Sequence, residues 1–242
     1  IQRFSLGLTR LGHRVYVFAP AYNRSSETSF LDATGARIFR FYSVPAPTNR
    51  DFSLPIPISP GADRVLNALD IDIIHSHSPF LMGQLSSTLA WRTGLPLVFT
   101  HHTMYHEYVH YIPAPRGITR QMVISYLQHY CRQCNHIIAP TPKVKTLMQS
   151  IYRLNVPITS IPTGVDLEPY AHGDPAFLSR RLQLPEGTRF LLFVGRLGRE
   201  KNPQMVLDTF QILADESPDL HLVFVGDGPE RSSLQAEAQQ RS

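Results

Sequence analysis

The sequence predicts an α/β protein of doubly wound parallel sheets, and three observations predict it. Short apolar runs recur along the 242 residues, most are continuous rather than alternating, and the chain between them is usually long enough for a helix. A strand with one face in water alternates apolar and polar side chains, whereas a strand covered on both faces does not. Continuous runs spaced by helix-length segments therefore imply parallel strands with helices on both faces.

In chain order the expected strands are 15–18, 38–42, 71–75, 97–100, 136–139, 159–161, 190–194 and 220–225. Before the first of them, residues 5–11 with Gly12-His13 read as the tail of a helix running into a strand, so the chain opens inside an element. Helix starts are expected at Ser78-Pro79, Thr141-Pro142, Asn202-Pro203 and Gly228-Pro229. Proline suits a first helical turn because its missing N–H would have had no partner there, and Ser, Thr or Asn before it can cap the free amides. Gly94, just ahead of Leu95-Pro96, is the matching stop signal. The Pro-rich stretch 44–61 reads as an excursion from the first domain, and 161–174 as the crossover to a second. The expected organisation is a Rossmann-like domain over 1–168 without its first strand, then a partial one over 169–242. Two strands and the start of a helix after Gly228 are too few for an independent layer. The chain is thus expected to be a longer protein truncated at both ends.

Bulk properties narrow the function classes. At 43% hydrophobic and 17% charged residues the chain can bury a core, which excludes disorder. No apolar run reaches the ~20 residues of a membrane span, and residues 1–12 lack the regions of a signal peptide. The expected place of work is the cytoplasm, including the inner face of the plasma membrane. Cys131 and Cys134 are the only cysteines, which excludes a disulfide framework; with no second pair for zinc and no strand just before them, they read as packing residues. The net charge of +4 divides into +6 over 1–168 and −2 over 169–242. A basic front half suits an anionic membrane or a phosphorylated ligand, and dispersed charge of this size also serves solubility alone. Without a Lys/Arg stripe or an RNA-binding aromatic motif, nucleic acid is not an expected partner.

Two segments can carry chemistry. From Phe193 to Pro203, an apolar strand runs into a loop bearing Gly195, Arg196, Gly198, Arg199 and Lys201 before a helix opens. Doubly wound sheets bind ligands at this end of their strands. Glycines allow close backbone approach, and Arg as a fork and Lys as a point charge can meet the oxygens of a diphosphate. The second segment, 100–113, gathers His101, His102, Tyr105, His106, Glu107, Tyr108, His110 and Tyr111 after a buried strand. It includes H-E-x-x-H at 106–110, but prolines at 113 and 115 end any helix at once, and no Asp or Glu follows before Asn135 to supply a third zinc ligand. Neither Ser76 nor Ser78 lies in a nucleophile elbow.

Six motifs in order resemble family 4 glycosyltransferases: Gly12-His13-Arg-Val-Tyr-Val-Phe, Asp72-Ile-Ile-His75-Ser-His77-Ser-Pro79, Thr100-His-His102-Thr, Ile161-Pro-Thr-Gly164-Val-Asp166, Val194-Gly-Arg196-Leu-Gly-Arg-Glu-Lys201 and Val225-Gly-Asp-Gly-Pro-Glu230. The likeness is closer to bacterial diacylglycerol glucosyltransferases and to sulfolipid synthases, whose acceptor-side loop looks like Tyr105, Tyr108, His110 and Tyr111. The resemblance implies the GT-B fold of two Rossmann-like domains. It also implies retaining transfer of a hexose from a nucleotide-diphosphate sugar, UDP-linked, to a membrane lipid such as diacylglycerol, with no metal cofactor. His102 would sit at the reaction centre, and Arg196 and Lys201, with Gly195, would hold the diphosphate. Family 4 transferases for soluble or polysaccharide acceptors, and a non-catalytic sugar-nucleotide-binding fragment, are the alternative readings. The family's opening strand and Gly-rich loop would lie before Ile1, and its E-x7-E segment after Ser242, so this stretch alone is expected to be inactive. For residues 117–135, a membrane-facing amphipathic helix with Arg116, Arg120 and Arg132 and a core-packing helix remain equal expectations.

Overall fold

A computed structural model describes residues 1–21, 30–31, 35–46, 49–56, 66, 68–109, 112 and 114–241. The chain divides into two compact units, Ile1–Val165 and Asp166–Ser242. In the first, helix α1 (Gln2–Arg10) leads into strand β1 (Tyr16–Pro20). The two-residue β2 (Phe30–Leu31) pairs antiparallel with β3 (Arg37–Phe41), which pairs parallel with β1 from Tyr16↔Arg37 to Pro20↔Phe41. The Pro-rich stretch contains an antiparallel pair, β4 (Ser43–Ala46) with β5 (Asn49–Pro55), whose register shifts between Pro45 and Ala46. Proline cannot donate to a ladder, so strands that carry it belong at irregular pairings of this kind.

The main sheet follows. Its elements are β6 (Ile74–Ser76), α2 (Leu81–Thr93), β7 (Leu97–Thr100), α3 (Arg116–Arg132), β8 (His136–Ala139), α4 (Pro142–Tyr152) and β9 (Ile158–Ser160). The strands run β6-β7-β8-β9, all parallel, each joined to the next by a crossover that includes a helix. The core lies between this sheet and its helices: Leu97, Phe99, Leu127, Tyr130, Ile137, Met148 and Tyr152 are fully buried. Each large apolar side chain so buried contributes roughly 1.5–3 kcal/mol. Cys131 and Cys134 are free thiols inside this core; burial pushes both up, Cys134 to about 12, and they act as small apolar fillers.

In the second unit, helix α5 (Phe177–Leu182) precedes β10 (Arg189–Val194), α6 (Pro203–Ala214), β11 (Leu220–Val225) and α7 (Arg231–Arg241). The two strands are parallel, in register from Arg189↔Leu220 to Val194↔Val225. Leu197, Leu207 and Leu234 form its small buried core, with Phe193, Leu222 and Phe224 packed against it.

The helix signals divide by mechanism. Thr141 caps α4, its hydroxyl accepting the Val144 N–H at 3.2 Å, and Pro142 is the first helical residue. Pro203 likewise opens α6, and Gly94 ends α2 at φ +72°, its N–H donating to the Ala90 carbonyl at 2.9 Å. Ser78-Pro79 and Gly228-Pro229 instead each lie just ahead of their helices, which begin at Leu81 and Arg231. The Ser78 carbonyl is occupied by the Ser76 hydroxyl, at 2.8 Å, and serves a loop rather than a helix. The strand expected over 71–75 begins only at Ile74, since Asp72 and Ile73 are exposed.

Candidate active site

Strand β6 holds His75 and ends at Ser76, and His77 follows directly, two residues from His75 as same-face neighbours in extended chain are. The imidazoles of His75 and His77 accordingly stack, with centroids 4.3 Å apart. His75 Nε2 lies 2.7 Å from the Thr100 hydroxyl, at the end of the adjacent strand β7. His77 Nδ1 lies 2.9 Å from Nε2 of His102, which follows β7, and their rings are inclined by only 22°. Three imidazoles thus meet at the C-terminal ends of two neighbouring parallel strands, where the handedness of such sheets places ligand sites. Burial, and then the neighbouring imidazoles, lower His75 to about 4 and His77 to about 3; burial also lowers His102. At neutral pH all three are uncharged, and the exposed His102 meets solvent as a neutral imidazole.

Helix α3 fixes the loop that carries His77. Tyr130 OH donates to the Ser76 hydroxyl at 2.8 Å, and Tyr126 OH donates to the Pro79 carbonyl at 2.7 Å. Gly83 of α2 completes the clamp, because a Cβ there would come within 2.3 Å of the Ser78 carbonyl oxygen.

Behind His102 lies a second polar system. The Tyr152 hydroxyl sits 3.2 Å from His101 Nε2 and 2.9 Å from His106 Nδ1, and His106 Nε2 is 3.2 Å from a Glu107 carboxylate oxygen. A carboxylate only accepts, so His106 carries its proton on Nε2 and its Nδ1 accepts from Tyr152; the hydroxyl's single hydrogen is then used, and His101 donates to it from Nε2. This leaves a bare lone pair on His101 Nδ1, which is the unpartnered buried side-chain atom among the described residues. The 3-10 turn Tyr105–Glu107 is anchored to the core through His106, and the Tyr105 ring lies nearly parallel to His101, 5.8 Å away. Burial pushes the Tyr105 phenol to about 12.

The expected acceptor-side residues fare unequally. Tyr105 and Tyr108 are half-buried in and just after the turn, while His110 and Tyr111 lie outside the described residues. The H-E-x-x-H segment starts in that 3-10 turn, and its His106 is buried against Tyr152. Sequence reasoning missed the pairing of His77 with His102 and the role of Tyr152. The H-x-H spacing at a strand end was a usable signal for the first; nothing local to Tyr152 pointed to the second.

In the other unit, Gly195 closes β10 and the loop continues through Arg196 to Lys201, the latter exposed in a 3-10 turn, Arg199–Lys201, before α6. Beyond the strands, the backbones of this loop and of the loop after β11 keep pairing: Gly195 N–H donates to Val225 O at 3.0 Å and Leu197 N–H to Asp227 O at 2.9 Å. The approach demands glycine, since a Cβ on Gly226 would stand 1.9 Å from the Gly195 carbonyl oxygen. Three cationic residues, Arg196, Arg199 and Lys201, are therefore carried on a loop whose backbone is braced by its neighbour, at the C-terminal edge of a parallel pair.

Two units of parallel α/β structure, each with its polar residues at the C-terminal strand ends, define the Rossmann-like architecture of the GT-B class. The fold is that of sucrose-phosphate synthase from Thermosynechococcus elongatus, with a TM-score of 0.72 at 15% identity over 99% of this chain and 60% of that one. The chain belongs to glycosyltransferase family 4: that family's model matches residues 1–169, and the model for glycosyl transferases group 1 matches 176–242. Similar proteins include the alpha-monoglucosyldiacylglycerol synthase of Streptococcus pneumoniae, 29% identical over 99% of this chain and 54% of that protein. The GDP-mannose-dependent alpha-mannosyltransferase of Mycobacterium tuberculosis is 29% identical over 95% of this chain and 58% of its own length. The chain spans about half the length of these curated relatives.

Proposed function

We propose that the protein carrying this chain is a retaining hexosyltransferase that moves a sugar from a nucleotide diphosphate, UDP-linked, to a membrane lipid such as diacylglycerol. The observation that carries the reading is the exposed, neutral His102, held by His77 at the C-terminal end of β7. A neutral imidazole can exchange hydrogen bonds with a sugar hydroxyl without placing positive charge beside an anomeric carbon that is itself becoming positive. In the transfer, the bond from sugar C1 to the diphosphate oxygen breaks, C1 bonds to the acceptor oxygen, and the acceptor's proton ends on the diphosphate. Charge grows on the leaving phosphate, so Arg196 and Lys201, with the close approach allowed at Gly195, supply the stabilisation that a metal ion would otherwise give. Tyr105, Tyr108, His110 and Tyr111 are assigned to the acceptor side, residues 1–168 to the acceptor domain and 169–242 to part of the donor domain.

The lipid acceptor is supported by the streptococcal relative, an alpha-monoglucosyldiacylglycerol synthase, and by the surface of α3. On that helix Ile124, Leu127 and Tyr130 face the core, while Ile118 and Met122, one turn apart, are 65% and 67% exposed. Arg116 and Arg120 flank them, and residues 108–165 contain six Lys/Arg and no Asp or Glu. Exposed apolar side chains flanked by Arg116 and by Arg120, which also lies 3.4 Å from a Glu107 carboxylate oxygen, suit the interface of an anionic membrane. Among the described residues no helix is long and apolar enough to cross a membrane, and peripheral contact at the inner face of the plasma membrane is the location this reading assigns.

The test is product formation by the protein as its host makes it, with radiolabelled UDP-glucose or GDP-mannose and diacylglycerol in anionic vesicles. Labelled glycolipid from UDP-glucose, lost in His102→Ala and reduced at least tenfold in Arg196→Ala and Lys201→Ala, is expected. Glycolipid from GDP-mannose alone would overturn the donor assignment, and no product with any lipid would overturn the acceptor.

A further inference from the structure

His75 and His77 stand at the C-terminal end of β6, yet neither is needed to explain sugar or phosphate binding. We propose that His77 is a positioning residue for His102: it holds the imidazole's plane and fixes which ring nitrogen carries the proton. This inference rests on His102 being the residue that meets the donor sugar.

The geometry carries it. Two neutral imidazoles with facing nitrogens 2.9 Å apart satisfy each other only if one bears the hydrogen and the other the lone pair. The two rings are thus locked into complementary tautomers. Because Nε2 of His102 is committed to His77, Nδ1 is the ring nitrogen left to meet a substrate, as a donor or an acceptor but not both. An imidazole without such a partner exchanges tautomers and spins about χ2, so part of its population presents the wrong group. A mixture of that kind weakens a single directed hydrogen bond without abolishing binding.

His77 is itself prevented from turning. One face stacks on His75, whose Nε2 is tied to Thr100, and the Phe4 ring meets His77 edge-on at 5.8 Å. The backbone beneath is clamped through Tyr130 to Ser76 and Tyr126 to Pro79. The arrangement is a stack of partly buried imidazoles ending in one exposed ring, which is what a directing group requires: each imidazole is oriented by the one behind it, and the last is the most exposed of the three. Orienting partners of functional histidines cost roughly ten- to hundredfold in activity when removed from metal sites, and a similar loss is expected here.

The experiment compares His77→Ala with His77→Asn, whose carboxamide can reach the place of Nδ1, in the protein as its host makes it. The first readout, independent of activity, is the pair of 15N shifts of the His102 ring. The wild type is expected to show one tautomer, His77→Ala averaged shifts, and His77→Asn a single tautomer again. The second is glycosyl transfer from UDP-glucose to diacylglycerol vesicles: His77→Ala should lose ten- to hundredfold in kcat with donor KM within about threefold, and His77→Asn should recover most of it. Unchanged His102 shifts in both variants would overturn the proposal, as would an Asn variant no better than Ala in kcat while its His102 remains a single tautomer. If the wild type transfers no sugar but its His102 shifts respond as described, the positioning stands and the assignment of the reaction fails.

Discussion

Strands β7 and β10 have similar sequences and opposite surroundings. In β7, Leu97 and Phe99 have no exposed surface, whereas Leu192 and Val194 of β10 are 53% and 68% exposed. Both are apolar runs in parallel sheets followed by a polar loop. The difference is the number of layers: β7 is hydrogen-bonded on both edges, to β6 and β8, and helices pack on it, while β10 pairs among the described residues with β11 alone. An apolar run predicts a strand, and only the neighbours that assemble around it decide how much its side chains contribute.

The comparison can be broken most directly by truncating one side chain in each strand. Phe99→Ala should cost about 3–5 kcal/mol, because a filled core site becomes a cavity, and Leu192→Ala under about 1 kcal/mol, because solvent already reaches it. Urea unfolding of the two variants measures both, and equal losses would mean that β10 is covered in solution.

Acid should separate the units next. His75, His77 and His101 all lie in the first unit with folded pKa values of about 4, 3 and 4. These are depressed below the unfolded value, so the unfolded chain binds protons first as pH falls, and stability present above about 6.5 is lost progressively down to about 3. At ~1.4 kcal/mol per unit, the buried His101 alone accounts for about 3 kcal/mol. Thermal melts from pH 7.5 to 4, read by exchange of β8 amides, should show a falling midpoint, and a flat profile would place these imidazoles in water.

The smallest effect sharpens the polar side of the contrast. Tyr152→Phe removes the hydroxyl between His101 and His106 while keeping the ring, and leaves buried nitrogens unpaired at about 1–3 kcal/mol. The loss should appear in first-unit unfolding, with faster exchange at Tyr105–Glu107, and leave the amides of β11 unaffected.

Legibility followed the physics of each feature. Strands and most crossovers could be read because two-face burial writes continuous apolar runs, and Thr141-Pro142 and Gly94 act through their own backbone. The β4–β5 pair was hidden by its prolines, which obey irregular pairing rather than the main sheet's pattern. Arg196 and Lys201 could be placed together from the sequence because one contiguous loop holds them. His77 was visible as half of an H-x-H motif without a purpose, since its partner lies 25 residues away.

By itself, the sequence determined the α/β class, the order of strands and helices, the family and the loops where polar residues collect, because these depend on residue type and short-range spacing. Tertiary structure decided which imidazoles meet, that Tyr152 serves two of them, which face of α3 is exposed, and that Gly226 must lack a side chain. Those outcomes depend on distances between segments that lie far apart in the chain, and parallel-strand register sets such distances only once the sheet has formed.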